Sequence, residues 1–105
     1  MVKILKEFNQ VIYILWRDIP AQIIVGKGRQ AKKIKLPERF EQAIDKCAMK
    51  LNLTNTEDYL SEWHKSNPIS MEGSIDEIVA SEEKRLNEHF DNEKLKKLIS
   101  NDGRE

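Results

Sequence analysis

The sequence predicts an α+β fold: a three-stranded antiparallel meander followed by a core helix and additional C-terminal helices. Three observations carry this. Residues 11–36 are rich in β-branched and aromatic side chains and are punctuated by Pro20, Gly26 and Gly28. From Pro37 the apolar period changes, with Phe40, Ile44, Cys47 and Leu51 falling on one helical stripe. After residue 54, capping patterns followed by helical spacing recur. The expected layout is a single domain over 1–105. It comprises an N-terminal extension (1–10), the meander (11–36), two helices (37–65), a polar connector (66–73) and C-terminal helices (74–100).

Val11-Ile12-Tyr13-Ile14-Leu15-Trp16 is apolar on both alternations, which predicts a central strand covered on both faces. Arg17-Asp18-Ile19-Pro20 breaks it, because proline removes a ladder donor and holds the preceding residue extended. Ala21–Val25 is the second strand, and Gly26-Lys27-Gly28 the turn after it. In the third, Ala31–Leu36, Lys33 and Lys35 alternate with Ile34 and Leu36, so one face is wet and the strand suits an edge.

Pro37 opens the first helix and Asn52 ends it. Thr54 to Glu57 has capping-box spacing and opens a second helix carrying Tyr59, Leu60 and Trp63, closed by Ser66-Asn67-Pro68. Ser74 to Glu77 is another capping box. The helix it starts has a nearly all-polar middle turn, Ser81 to Arg85, and is expected to pack only at its ends. Asp91 caps a last helix bearing Leu95, Leu98 and Ile99, stopped by Gly103.

Composition bounds the function. The chain has 105 residues, 39% hydrophobic and 34% charged, enough for one modest core. No apolar run reaches the roughly 20 residues of a membrane span, and Met1 to Glu7 has no signal-peptide pattern. With Cys47 as the single cysteine, no internal disulfide forms, and a reducing, cytoplasmic setting is expected. Cys47 itself sits on an apolar stripe and reads as a small buried hydrophobe. The net charge of zero hides a split. Residues 1–50 hold eleven Lys/Arg against five Asp/Glu, and residues 51–105 hold seven against thirteen. Such asymmetry suits either a bipolar solvated surface or two binding faces.

No residue pattern points to catalysis, and no cofactor or metal is expected. His64 and His89 have no second histidine or cysteine at ligand spacing. The acidic pairs Glu57/Asp58, Asp76/Glu77 and Glu82/Glu83 are adjacent on predicted helices and diverge in azimuth. Gly26-x-Gly28 lacks the ending of a P-loop and leads into a strand. Two surfaces remain. Lys27, Arg29, Lys32, Lys33 and Lys35 crowd nine residues of the hairpin, a possible phosphate-binding ribbon for RNA or the ribosome, though without interleaved aromatics. Trp16-Arg17-Asp18-Ile19-Pro20-Ala21-Gln22 reads either as a rigid corner or as a recognition corner, with Trp16, Arg17, Asp18 and Gln22 contacting a protein partner.

That corner, with Gly28-Arg29, Leu36-Pro37-Glu38-Arg39-Phe40, Ala43-Ile44-Asp45, Ala48-Met49, Tyr59-Leu60-x-Glu62-Trp63 and Gly103-Arg104-Glu105, resembles the bacterial "virulence factor" family. The likeness covers about residues 11–105; Met1–Gln10 and the lysine- and asparagine-rich composition depart from it. Members are small stand-alone proteins, or a region of larger conserved virulence factor proteins. The resemblance brings no catalytic residue or cofactor. It implies an accessory role beside folate- and corrinoid-dependent methyl transfer. The resulting expectation is a non-enzymatic accessory protein docking on a protein partner, with RNA or ribosome binding as the alternative.

Overall fold

The computed structural model describes residues 6–53 and 57–105. The α+β class holds. Strands β1 (Phe8–Trp16), β2 (Ile19–Val25) and β3 (Lys32–Lys35) form the expected meander, and helix α1 (Glu38–Lys50) follows it. Then come α2 (Glu57–Ser61), β4 (Trp63–Lys65), β5 (Ile69–Glu72), α3 (Ile75–His89) and α4 (Asn92–Ser100). The meander runs β3-β2-β1, and β4 and β5 lie end to end along the other edge of β1, all pairs antiparallel.

The helical assignments rest on physics legible in the sequence. The stripe of α1 buries Phe40, Ala43, Ile44, Cys47 and Ala48, and Asn52 takes a left-handed conformation (φ 57°) just past its end. Ser74 accepts a bond from the Glu77 amide and Asp91 one from the Lys94 amide, each satisfying a donor that the helix start leaves open. The Thr54 half of the remaining capping box lies outside the described residues.

Five expectations are corrected. Trp63 and His64 are not helical: α2 stops at Ser61 and the chain turns into β4, where Trp63 pairs with Trp16 and Lys65 with Ile14. Backbone bonds along an open strand edge outweigh a marginal extension of a one-turn helix. The connector 66–73 contains a strand, β5, whose partner is the Phe8–Val11 stretch of β1. Residues 8–10, assigned to an extension, are therefore sheet. Between β4 and β5, Ser66-Asn67-Pro68 spans the place of two β1 residues, a bulge that seats Pro68 where no ladder donor is needed. Ser66 closes the gap: its amide donates to the Tyr13 carbonyl, and its hydroxyl accepts from the Tyr13 amide, both at 2.8 Å. Finally, α3 does not pack only at its ends. Glu82, in the polar middle turn, is 3% exposed.

The fifth correction concerns β1. Val11, Ile23 and Val25 are fully buried on the helix-facing side of the sheet. Ile12 and Ile14 point the other way, opposite Ile24 and Gln22 of β2. Ile12, Ile14 and Ile24 are half-buried and belong to no part of the hydrophobic core. Among the described residues, the core thus covers the strand on one face, not two.

Candidate functional site

The corner residues are drawn into a knot rather than displayed. Trp16 and Ile19 close β1 and β2 as a pair, leaving Arg17 and Asp18 as a two-residue turn with Arg17 at φ 53°. Trp16 is fully buried. Its Nε1 donates to the Tyr59 carbonyl at 3.0 Å, its ring meets that of Tyr59, and the Arg17 guanidinium lies 5.3 Å from its centroid. Arg17 donates from its amide to the Glu62 carbonyl and from Nη1 to the Asp102 carbonyl, and its Nε stands 3.3 Å from Glu62 Oε2. That last contact is an ion pair without hydrogen-bond alignment. The Asp18 amide donates to the Gly103 carbonyl, and its carboxylate accepts from the Glu105 amide at 2.7 Å.

Gly103 makes this closure possible. Its φ is +79°, and a Cβ there would lie 3.2 Å from the Trp16 ring and 3.3 Å from Cys47 Sγ. Arg104 faces Glu62 at 3.8 Å. The corner, the Tyr59–Trp63 segment and the Gly103–Glu105 ending, scattered over the sequence, therefore meet at one place. Of the four corner residues, Trp16 offers no surface to a partner, and Gln22 lies apart from the turn. Its Oε1 is buried without a hydrogen bond among the described residues, and Gln22 stands in register between Ile14 of β1 and Lys35 of β3.

The basic hairpin is divided by the pleat. Lys33 and Lys35 stand beside Ile24 and Gln22, on the face that carries Ile12 and Ile14. Lys32 faces the helix side, beside Val25, and is paired with Asp76 of α3. Lys35 pairs with Glu41 at 2.9 Å, and that carboxylate raises its ammonium's pKa. Lys27 and Arg29 are exposed on the turn. The five cations form no single ribbon. Lys65 of β4, which the sequence did not single out, joins Lys33 and Lys35 from the opposite side of the same face, opposite Ile14. Among the described residues, neither Lys33 nor Lys65 has a carboxylate partner. The result is an aliphatic strip of Ile12, Ile14 and Ile24 rimmed by three lysines.

A second arrangement was invisible in sequence. On the helix side, the Tyr13 hydroxyl donates to Glu82 Oε1 and accepts from Arg85 Nη2 at 3.2 Å, and Arg85 grips Glu82 through Nε and Nη2, both at 2.9 Å. Burial, then the Glu82 hydrogen bond, pushes the Tyr13 phenol up to about 12. The Arg85 hydrogen bonds hold the Glu82 carboxyl below its ordinary value. This group borders a groove of about 380 Å³ floored by Leu15, Pro20 and Phe90, with His89 on its α3 wall and Asp18 and Glu105 on the other. A phenol locked in its protonated state and a carboxylate locked in a bidentate ion pair are poor proton carriers near neutral pH.

His64 Nε2 lies 2.7 Å from the Arg17 carbonyl oxygen, and His89 packs its ring on Phe90 at 4.8 Å. Among the described residues, no group of three or more His, Cys, Asp or Glu side chains is placed to hold a metal ion. Cys47 is buried, and burial raises its thiol pKa, the state of an inert core side chain. No helix among the described residues is long and apolar enough to cross a membrane.

Against known proteins, the family model described as "Virulence factor" matches residues 14–99. The chain belongs to this family. The match takes in the corner, the core helix and the tyrosine–tryptophan segment, and stops short of Gly103. No curated protein and no solved structure matches the chain. Family membership therefore fixes kinship, and the function has to be argued from the surfaces.

Proposed function

We propose that this family member is a non-enzymatic docking module that binds a protein partner through the open face of its sheet. The observation behind this reading is the strip Ile12–Ile14–Ile24, outside the core and rimmed by Lys33, Lys35 and Lys65. β-branched side chains in the centre of a sheet gain little from solvent; covering them removes apolar surface from water at about 25 cal/mol per Å². Lys33 and Lys65, which have no carboxylate partner among the described residues, select what covers them, an acidic and amphipathic segment of another protein. A nucleic acid is disfavoured because the centre of the face is aliphatic and offers no ring for a base to stack on. Lys32 and Lys35, two of the five cations that reading relied on, are already paired. The resemblance supplies the setting: a cytoplasmic accessory subunit serving folate- or corrinoid-dependent methyl transfer, where an acidic surface on a methyl-transfer protein is the first candidate.

Ile14→Glu and Ile24→Glu test this. Both variants fold, and both lose the protein that co-purifies with the wild type from its native host, while Met49→Glu, on an exposed site of α1, retains it. Retention by all three variants contradicts the reading. Loss of the co-purifying material on nuclease treatment transfers the face to the RNA alternative.

A further inference from the structure

The groove beside Tyr13 and Arg85 has polar groups of both signs, arranged by wall. The α3 wall supplies the Arg85 guanidinium and the His89 ring. Arg85 spends Nε and Nη2 on Glu82 and Tyr13, and its Nη1 carries no bond among the described residues. The grip of Glu82, itself 3% exposed, fixes the plane of the guanidinium, so its free edge is held ready rather than waving in solvent. The hairpin and tail wall supplies Asp18 and Glu105. Among the described residues Asp18 spends only Oδ2, on the Glu105 amide, and Glu105 has Lys94 at 3.4 Å. The same groove is also lined by the apolar side chains of Leu15, Pro20, Leu86 and Phe90. At about 380 Å³ the space falls in the range of small-molecule sites, about 300–1,000 Å³.

We infer that this groove binds a small zwitterion with an apolar body, of the class of an α-amino acid with a large hydrophobic side chain. The carboxylate meets the free edge of Arg85, with His89 beside it. The ammonium meets the open oxygen of Asp18 and the Glu105 carboxylate. The side chain lies on Leu15, Pro20 and Phe90. Neither a simple anion nor a simple cation suits both walls, because each would place a like charge against one of them. This site is on the opposite side of the sheet from the lysine-rimmed strip and does not depend on the docking reading.

The test uses three probes on the full chain, followed by amide chemical shifts or calorimetry: L-phenylalanine, 3-phenylpropionate, which lacks the ammonium, and phenethylamine, which lacks the carboxylate. The expected result is shift changes at Leu15, Asp18, His89 and Phe90 with L-phenylalanine, and affinity at least tenfold lower for both analogues. Asp18→Asn then weakens L-phenylalanine about tenfold and leaves 3-phenylpropionate unchanged. Arg85→Lys, which keeps the charge toward Glu82 but loses the fixed fork, weakens L-phenylalanine and leaves phenethylamine unchanged. Equal binding of the three probes, or no shift change in the groove at millimolar L-phenylalanine, overturns the inference.

Discussion

At its hairpin end β1 finishes in Trp16, which has no exposed surface and is held by Tyr59, Arg17 and the backbone around Gly103; a few residues earlier, Ile12 and Ile14 stand outside the core. Both stretches are hydrophobic strand sequence, and composition alone gives them the same role. What separates them is whether a distant segment returns to cover them. The hairpin end receives α2, the β4 strand and the 101–105 tail. The middle of the strand has Lys65 in register with Ile14 and Lys33 in register with Ile24 of the neighbouring strand, and no core residue among the described ones packs on that face. A residue type prized at interfaces can thus serve only the interior, while ordinary isoleucines of the same strand lie outside the core.

The largest effect expected is at the closed end. Trp16→Ala should cost about 3–5 kcal/mol in denaturant unfolding, the usual loss for a buried large aromatic. A Trp16→Ala protein as stable as the wild type would dissolve the contrast. Gly103→Ala comes next, at about 2–3 kcal/mol, because it combines a positive φ with contacts at 3.2–3.3 Å to Trp16, Arg17 and Cys47. Gly28→Ala is its control. That glycine also has a positive φ, +62°, but a Cβ meets nothing within 4 Å, so only the backbone cost of about 1 kcal/mol remains.

The Tyr13–Glu82–Arg85 group sharpens the comparison through pH. The folded Glu82 pKa lies below its ordinary value of 4.5. Its contribution is present above that value and is lost as pH falls through the folded one. The folded Tyr13 pKa of about 12 lies above the ordinary 10. Its contribution is intact below 10 and is lost as pH climbs toward 12. Glu82→Gln should flatten the acid limb of a stability–pH curve, and Tyr13→Phe the alkaline one, each at a cost near neutrality of about 1 kcal/mol. The smallest effect belongs to the open face. Lys33→Ala and Lys65→Ala should leave stability within about 0.5 kcal/mol, since neither ammonium has a carboxylate partner among the described residues.

Much of the helical layer was legible, because its signals are local: the Phe40–Leu51 stripe, the Ser74 and Asp91 caps, and Asn52 at a left-handed stop. The meander was legible for the same reason. β4 and β5 were not, since three- and four-residue edge strands owe their existence to the unpaired side of β1 and not to their own propensity. Glu82 was read as solvated because its burial is set by Tyr13, 69 positions away in sequence. The open face was misread because apolar residues on both alternations of a strand do not say how many of its faces the core will cover. Lys65 went unnoticed because only the register of β4 places it opposite Ile14.

The most direct measurement places a photo-crosslinking side chain at position 24 or, as a control, at position 49, and irradiates cells at native expression. The account predicts a discrete, nuclease-resistant protein adduct from position 24, weakened when Lys33 and Lys65 are both neutralised, and none from position 49. No adduct from position 24, or the same adduct from both positions, would contradict it.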